Sequence, residues 1–422
     1  MEQHQRVSKA PDWALLVGVM CFVLPAVGLR LMRDFGGVHL PSTMSSLIFG
    51  IGILSAAMVI SWAAEAAEKD ISQALALAFL SLIAVLPEYA VDMYFTWQAP
   101  HFHEYRAFAV ANMTGANRLL LGFGWSLIFF LYFAKFRRSS LQVDRNYALD
   151  LSILGAATVY SLTIFFKESL ALWDTVVLFG LFITYVYMAS RRPLAEPELF
   201  GPAAAIGGLA QGPRRTALVG LFLFAAIGIF ASAEPFAESL LETGAAFGID
   251  QFLLVQWLAP LASESPEILI ASLFVLRGRP GVAMGALIAS QVNQWTLLVG
   301  CIPLVYAISG GSIVPMPLDP RQAVEILLTA GTSALGIAVF LSLSLSKWEA
   351  LLLFGTFLLQ LVDLGHDFRL YISMAYLGIA VLLLVIHGDD RREFFQSLKN
   401  VVHLVRYGSP AEGLEEHSPP PA

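Results

Sequence analysis

Charged residues are scarce in this chain: 14% of its 422 residues are Asp, Glu, Lys or Arg, where a soluble domain averages about a quarter. With 57% hydrophobic residues and a mean hydropathy of +0.70, that shortage excludes an ordinary water-soluble domain. Cysteine is nearly absent. Cys21 and Cys301 both fall in apolar stretches, which argues against a disulfide framework and against a thiolate metal centre. The net charge is −7 with no long run of one sign, so nothing marks a nucleic-acid partner. Only eight histidines occur, and His-Glu-x-x-His, Gly-x-Ser-x-Gly and a phosphate-binding loop are all missing. Metalloprotease chemistry, serine-hydrolase chemistry and ATP-driven pumping therefore lack their signatures. The polar-in, apolar-out alternation of a barrel is lacking too, which leaves helices to satisfy backbone polar groups in lipid.

What the chain has in abundance is long apolar runs. They cover about 13–31, 43–64, 71–98, 106–134, 147–166 and 171–189, then 216–240, 250–276, 281–308, 321–342, 348–363 and 370–387. A bilayer-spanning helix needs about 20 residues, so 348–363 is the shortest candidate. The first run follows Arg6 and Lys9 and lacks a small-residue cleavage site, so it reads as a retained helix rather than a signal peptide. Twelve spans make loops alternate between two sides. One side then collects 18 of the 25 Lys and Arg residues and the other six, with Arg118 inside a span. That bias predicts both termini in the cytoplasm.

The expected organisation is an all-α polytopic membrane protein. Residues 1–42 form a tail and an extra helix, 43–190 a first repeat half, 191–215 a Gly- and Pro-containing linker, 216–366 a second half, and 367–422 an extra helix and cytoplasmic tail. The tail after Gly408 has a disordered composition. Glu65, Glu68, Glu234, Glu238 and Glu242 sit near helix ends, and most of them read as solvated.

Two short acidic blocks interrupt this apolar pattern. Leu86-Pro87-Glu88 is followed by Asp92, and Ser263-Glu264-Ser265-Pro266-Glu267 lies in the other half. A carboxylate in hydrocarbon costs roughly 2.5–3.5 kcal/mol on insertion scales. One Pro-Glu pair serves well as a helix-capping acid at a kink. Recurrence at matched places in both halves favours a shared cation site instead. Pro87, Pro260 and Pro266 cannot donate to the carbonyls of Ile83, Gln256 and Ala262, and hard cations such as calcium take six to eight oxygen ligands. Glu88 and Asp92 are four residues apart and share a helix face, as Glu264 and Glu267 roughly do. Two buried carboxylates cannot both stay ionised without a cation, so an empty site takes up protons and a metal expels them. Asn112, Asn117 and Ser263 are further candidate ligands, although amides and hydroxyls also serve simply to bond helices together. Arg118 is a candidate to neutralise Asp92 or Glu88, or to snorkel toward headgroups.

The spans carrying Pro87-Glu88 and Pro266-Glu267 are the third and eighth, so they enter the membrane in opposite directions, as in an inverted repeat. Each is followed by a segment of small and amide residues, Ala111-Asn112-Met113-Thr114-Gly115-Ala116-Asn117 and Gly285-Ala286-Leu287-Ile288-Ala289-Ser290-Gln291. This pattern resembles the two alpha-repeats of the calcium/cation antiporter superfamily, whose repeats run roughly Gly-Thr-Ser-Leu-Pro-Glu, a short loop, then Gly-Asn-x-x-Gly-Ser-Asn. The resemblance covers about 43–134 and 216–308. It implies ten core helices as two inverted fives, here with one more at each end, and it implies Glu88 and Glu267 as central cation ligands. Departures exist: Ile83-Ala84-Val85 replaces hydroxyl residues used by sodium-coupled members, Ala286 and Gln291 stand where asparagines are expected, and Glu264 and Arg118 are extra charges.

The implied function is secondary antiport of a divalent cation, calcium foremost, against protons or sodium. The implied partners are the transported cations and the lipid bilayer, with no cofactor. A bacterial inner membrane is the expected location. The alternatives are a non-transporting sensor with a degenerate site and, behind it, an intramembrane enzyme.

Overall fold

The computed structural model describes residues 10–70, 86–191, 199–362 and 365–407. Helices dominate it. In chain order they are α1 (Ala10–Gly36), α2 (Ser42–Ala67), α3 (Leu86–Gln98), α4 (His103–Arg118), α5 (Trp125–Phe136), α6 (Ala148–Lys167), α7 (Leu172–Ala189) and α8 (Gly201–Gly207). Then come α9 (Gln211–Phe247), α10 (Gln251–Leu276), α11 (Pro280–Asn293), α12 (Val299–Gly310), α13 (Pro320–Val339), α14 (Lys347–Gln360), α15 (His366–Ile386) and α16 (Gly388–Tyr407).

Among the described residues, ten helices are long and apolar enough to cross a bilayer. They match ten of the twelve spans read from the sequence. Of the expected span 71–98, residues 71–85 lie outside the described residues, and the remainder is α3. The expected span 348–363 is α14, whose 14 residues reach about 21 Å at 1.5 Å each, short of the roughly 30 Å hydrocarbon core. The polytopic all-helical class therefore stands, while the described residues show ten of the twelve expected spans in full.

Two spans are not uniform α-helix. A π-helical turn, Leu119–Gly124, joins α4 to α5, and another, Gln294–Leu298, joins α11 to α12. Each follows closely on one of the matched segments, 111–117 and 285–291. π turns displace the residues beyond them around the helix axis and concentrate at functional sites.

The chain forms two compact units. The first comprises Met1–Ala116, Leu194–Glu267 and Leu304–Met316; the second comprises Asn117–Pro193, Ile268–Pro303 and Pro317–Ala422. Each draws on both halves of the sequence.

In the first unit, α1, α2 and α9 pack together and α3 joins α2 and α9. Small residues allow the close approach: a Cβ on Gly52 would lie 2.5 Å from the Cβ of Ala26. Arg30 and Arg33 of α1 pair with Glu234 and Glu238 of α9 at 2.7 and 2.5 Å, and Glu238 also accepts from the Tyr94 hydroxyl of α3 at 3.1 Å. Glu234 and Glu238 are thus paired, not merely solvated as their positions near a helix end suggested. Nor is all of 191–215 a loose linker. Residues 192–198 lie outside the described residues, but α8 packs on α2 through buried Ala203, Ala205 and Ile206. Arg214 fixes Asp70 through bonds of 2.6 and 2.9 Å, and its guanidinium holds that carboxyl below the usual carboxylate range.

In the second unit α13, almost wholly buried, packs on α15 and α6. Ser140–Gln142 pairs antiparallel with Ser344–Ser346. Helix α16 falls within the stretch expected as an extra helix and cytoplasmic tail, and the residues after Tyr407 lie outside the described residues.

Candidate functional site

Local sequence sets the position of the first acid pair. Pro87 and Glu88 fall in the first described turn of α3. Glu88 is 1% exposed and Asp92 0%. One turn apart, they project from the same face of α3. Helix α4 supplies the neighbour: the Asn112 amide donates to Asp92 Oδ1 at 3.3 Å. Asp92 Oδ2 and Asn112 Oδ1 are buried and accept no hydrogen bond among the described residues. A buried carboxylate without a countercharge is strongly disfavoured, so Asp92 calls for a proton or a metal cation.

Helix α10 carries the second acid block in the same unit. Glu264 is 2% exposed and Ser263 6%, while Glu267 is half-buried. The Ser263 hydroxyl donates to the carbonyls of Ala259 and Pro260 at 3.4 and 3.3 Å, and Ser265 likewise bonds Leu261. In α4 the Thr114 hydroxyl donates to Val110 at 2.7 Å. In Ser263 and Ser265 the hydroxyl proton is spent on local backbone, and the oxygen keeps acceptor capacity.

Pro260 denies the Gln256 carbonyl its usual donor four residues on. That carbonyl points at α4: a Cβ on Gly115 would lie 1.8 Å from the Gln256 oxygen. Only glycine permits this approach, three residues beyond Asn112. The expectation attached to Pro260 thus corresponds to a specific contact between the two helices. Its counterpart at Pro87 involves Ile83, which lies outside the described residues.

Helices α3, α4 and the first part of α10 share one hydrophobic core, through Val91, Phe95, Phe108, Ala111, Val255 and Ala259. The first unit thus brings together Asp92 and Asn112 directly, and contains Glu88, Ser263, Glu264 and Glu267. Among the described residues, no three His, Cys, Asp or Glu side chains converge as a ready metal cluster.

Asn117 stands apart. It belongs to the second unit, where its Oδ1 accepts from Ser333 at 3.2 Å and its carbonyl from the Gln291 amide at 3.1 Å. Arg118 corrects the sequence expectation more sharply. It neither pairs with Asp92 nor snorkels: it is 0% exposed and bonds Glu325 at 2.6 Å and Gln360 at 3.5 Å. Glu325 is also held by Arg369. This Arg118–Glu325–Arg369 triad is hard to see in the sequence because its members lie 207 and 44 residues apart. A signal existed: Glu325, Thr329, Thr332 and Ser333 fall on one helical face. His101 is exposed and bonds Ser309 at 3.1 Å.

No curated protein matches the chain significantly. A crystal structure of the H+/Ca2+ exchanger CAX is 41% identical to the chain, with a TM-score of 0.89 over 94% of this chain and 99% of that one. The sodium-calcium exchanger NCX_Mj, soaked with Na+ and Sr2+, is 16% identical with a TM-score of 0.54, covering 77% of this chain and 98% of its own. Native YfkE is 14% identical with a TM-score of 0.58, covering 81% and 98%; these last two likenesses concern the fold alone. The sodium/calcium exchanger protein family matches over residues 41–191 and 217–364, and the chain belongs to that family.

Proposed function

We propose that the protein is a secondary antiporter that exchanges a divalent cation, calcium foremost, for protons. The observation that carries this reading is the set of three carboxylates, Glu88, Asp92 and Glu264, each no more than 2% exposed, on two proline-bearing helices of one compact unit. In this proposal Glu88 and Glu267 are the central ligands. Asp92, Glu264, the Asn112 amide oxygen and the Ser263 hydroxyl oxygen supply further hard donors. Asn117, engaged by Gln291 and Ser333, holds α4 in place.

The chemistry of the donor set explains exchange. Carboxylates buried this deeply are populated with either protons or a metal ion. Arrival of calcium displaces protons, and protonation on the other side releases calcium. No nucleotide or covalent intermediate is required. Opposed insertion of the two acid-bearing helices would let the same ligands face either side in turn. Protons are favoured over sodium because Ile83-Ala84-Val85 lacks hydroxyls, and because the 41% identical relative is an H+/Ca2+ exchanger.

Calcium uptake into proteoliposomes tests the assignment. Uptake should follow an imposed proton gradient and persist without sodium. Uptake that needs a sodium gradient would refute the counter-ion, and calcium binding without flux under any gradient would favour a sensor.

A further inference from the structure

The C-terminal helix α16 is not needed for the exchange chemistry, yet its position and surface are specific. Helix α15 exposes Val381, Leu382, Val385 and Ile386 up to its last residue, and α16 begins at Gly388. It packs on α6, on residues 145–147 and on residues 340–342. Arg145 opens one apolar span and Ser342 closes another, as Ile386 closes a third. Three span ends therefore fix α16 at one boundary of the membrane, the side with the excess of Lys and Arg in the sequence.

One face of α16 is committed to the protein, with Phe394, Ser397 and Val401 buried. Another is open: Phe395 is 52% exposed and Val402 39%. At about 100° per residue, exposed Arg391, Arg392 and Lys399 fall within about 60° of Phe395. The acids Asp390 and Glu393 fall on the far side of the wheel. Arg391 also bonds the Leu384 carbonyl at 3.2 Å, capping α15 and tying the start of α16 to the span end. Apolar anchors flanked by cations at a bilayer boundary are the features of an interfacial helix.

We propose that α16 is a membrane-surface helix whose Phe395–Val402 face binds the anionic phospholipid headgroups of the adjacent leaflet. Arg392 and Lys399 supply the charge complementarity. Each cation near such a surface strengthens binding about fivefold, so removing two weakens it about 30-fold.

The test uses the full-length protein with Cys21→Ser and Cys301→Ser, spin-labelled at Phe395→Cys or, as a control, at Gln396→Cys. Collision with oxygen and with a water-soluble nickel chelate reports depth in nanodiscs of phosphatidylcholine alone or mixed with phosphatidylglycerol. The label at 395 should become oxygen-accessible and nickel-protected when phosphatidylglycerol is present, while that at 396 stays accessible to nickel. Arg392→Glu with Lys399→Glu should return the 395 label to water. If that variant does not fold, a salt titration of the unsubstituted helix should produce the same release. Nickel access at 395 in both lipids would overturn the proposal. So would protection that ignores lipid charge and salt, which would indicate cover by another protein or a second copy.

Discussion

Gly115→Ala is the sharpest perturbation of the candidate site. The added Cβ would lie 1.8 Å from the Gln256 oxygen and 2.7 Å from its carbonyl carbon, where real Cβ contacts essentially never fall below 3.0 Å. The struck atom is backbone, so no side chain can swing away. Helices α4 and α10 must part by at least about 1.2 Å, the shortfall in the closest contact. Overpacking of a buried contact costs about 1–3 kcal/mol and occasionally more, and a backbone collision belongs at the top of that range. The same displacement pulls Asn112 away from α10. Gly115→Ala should therefore lower the melting temperature in detergent and reduce calcium uptake together. Gly220→Ala, where a Cβ meets nothing within 4 Å, should be neutral or slightly stabilising. Pro260→Ala restores the N–H donor to Gln256 and should draw the carbonyl back into α10, so the double variant should lose less than the sum of the singles. Unchanged melting and uptake in Gly115→Ala would refute the proposed contact between these helices.

Other perturbations separate the two units. Glu325→Gln leaves Arg118 and Arg369 buried without their shared countercharge, which should cost about 3–5 kcal/mol and show as a large drop in melting temperature; a neutral result would contradict the triad. Asp92→Asn should retain a hydrogen bond to Asn112 and fold normally, yet weaken calcium binding measured by calorimetry at neutral pH; unaltered affinity would remove Asp92 from the ligand set. Asp70→Asn should destabilise at neutral pH. Arg214 holds the Asp70 carboxyl below its usual 3.8, so the ion pair contributes fully above that pH and its contribution fades as the pH falls through the depressed value. The wild-type advantage in melting temperature should shrink on acidification, and an advantage independent of pH would rule the pair out as its cause.

The membrane class and most spans were legible in the sequence because apolar runs of bilayer length rarely occur outside a bilayer. The acid blocks were legible too, since Pro-Glu is conspicuous in hydrocarbon. Two features escaped for physical reasons. Arg118 follows Asn117 directly, which invited pairing with the nearest acids, but the residue's burial is resolved by Glu325, 207 residues away. Long-range partners of that kind leave only a faint trace, here the polar face of α13. Helix α16 escaped because charged residues crowd its first turns, Asp390, Arg391, Arg392 and Glu393 among them, which keeps its hydropathy below that of a membrane span. Residues 201–207 were read as linker from their Gly and Pro content, yet buried Ala203, Ala205 and Ile206 make them a short packed helix.

In the proposed exchange cycle Glu88 and Glu267 hold the transported cation between them. The decisive measurement is calcium uptake into proteoliposomes under an opposing proton gradient, for the unsubstituted protein and for Glu88→Gln and Glu267→Gln. Gradient-driven uptake is expected in the first and none in either variant. Uptake at the unsubstituted rate in either variant would contradict it.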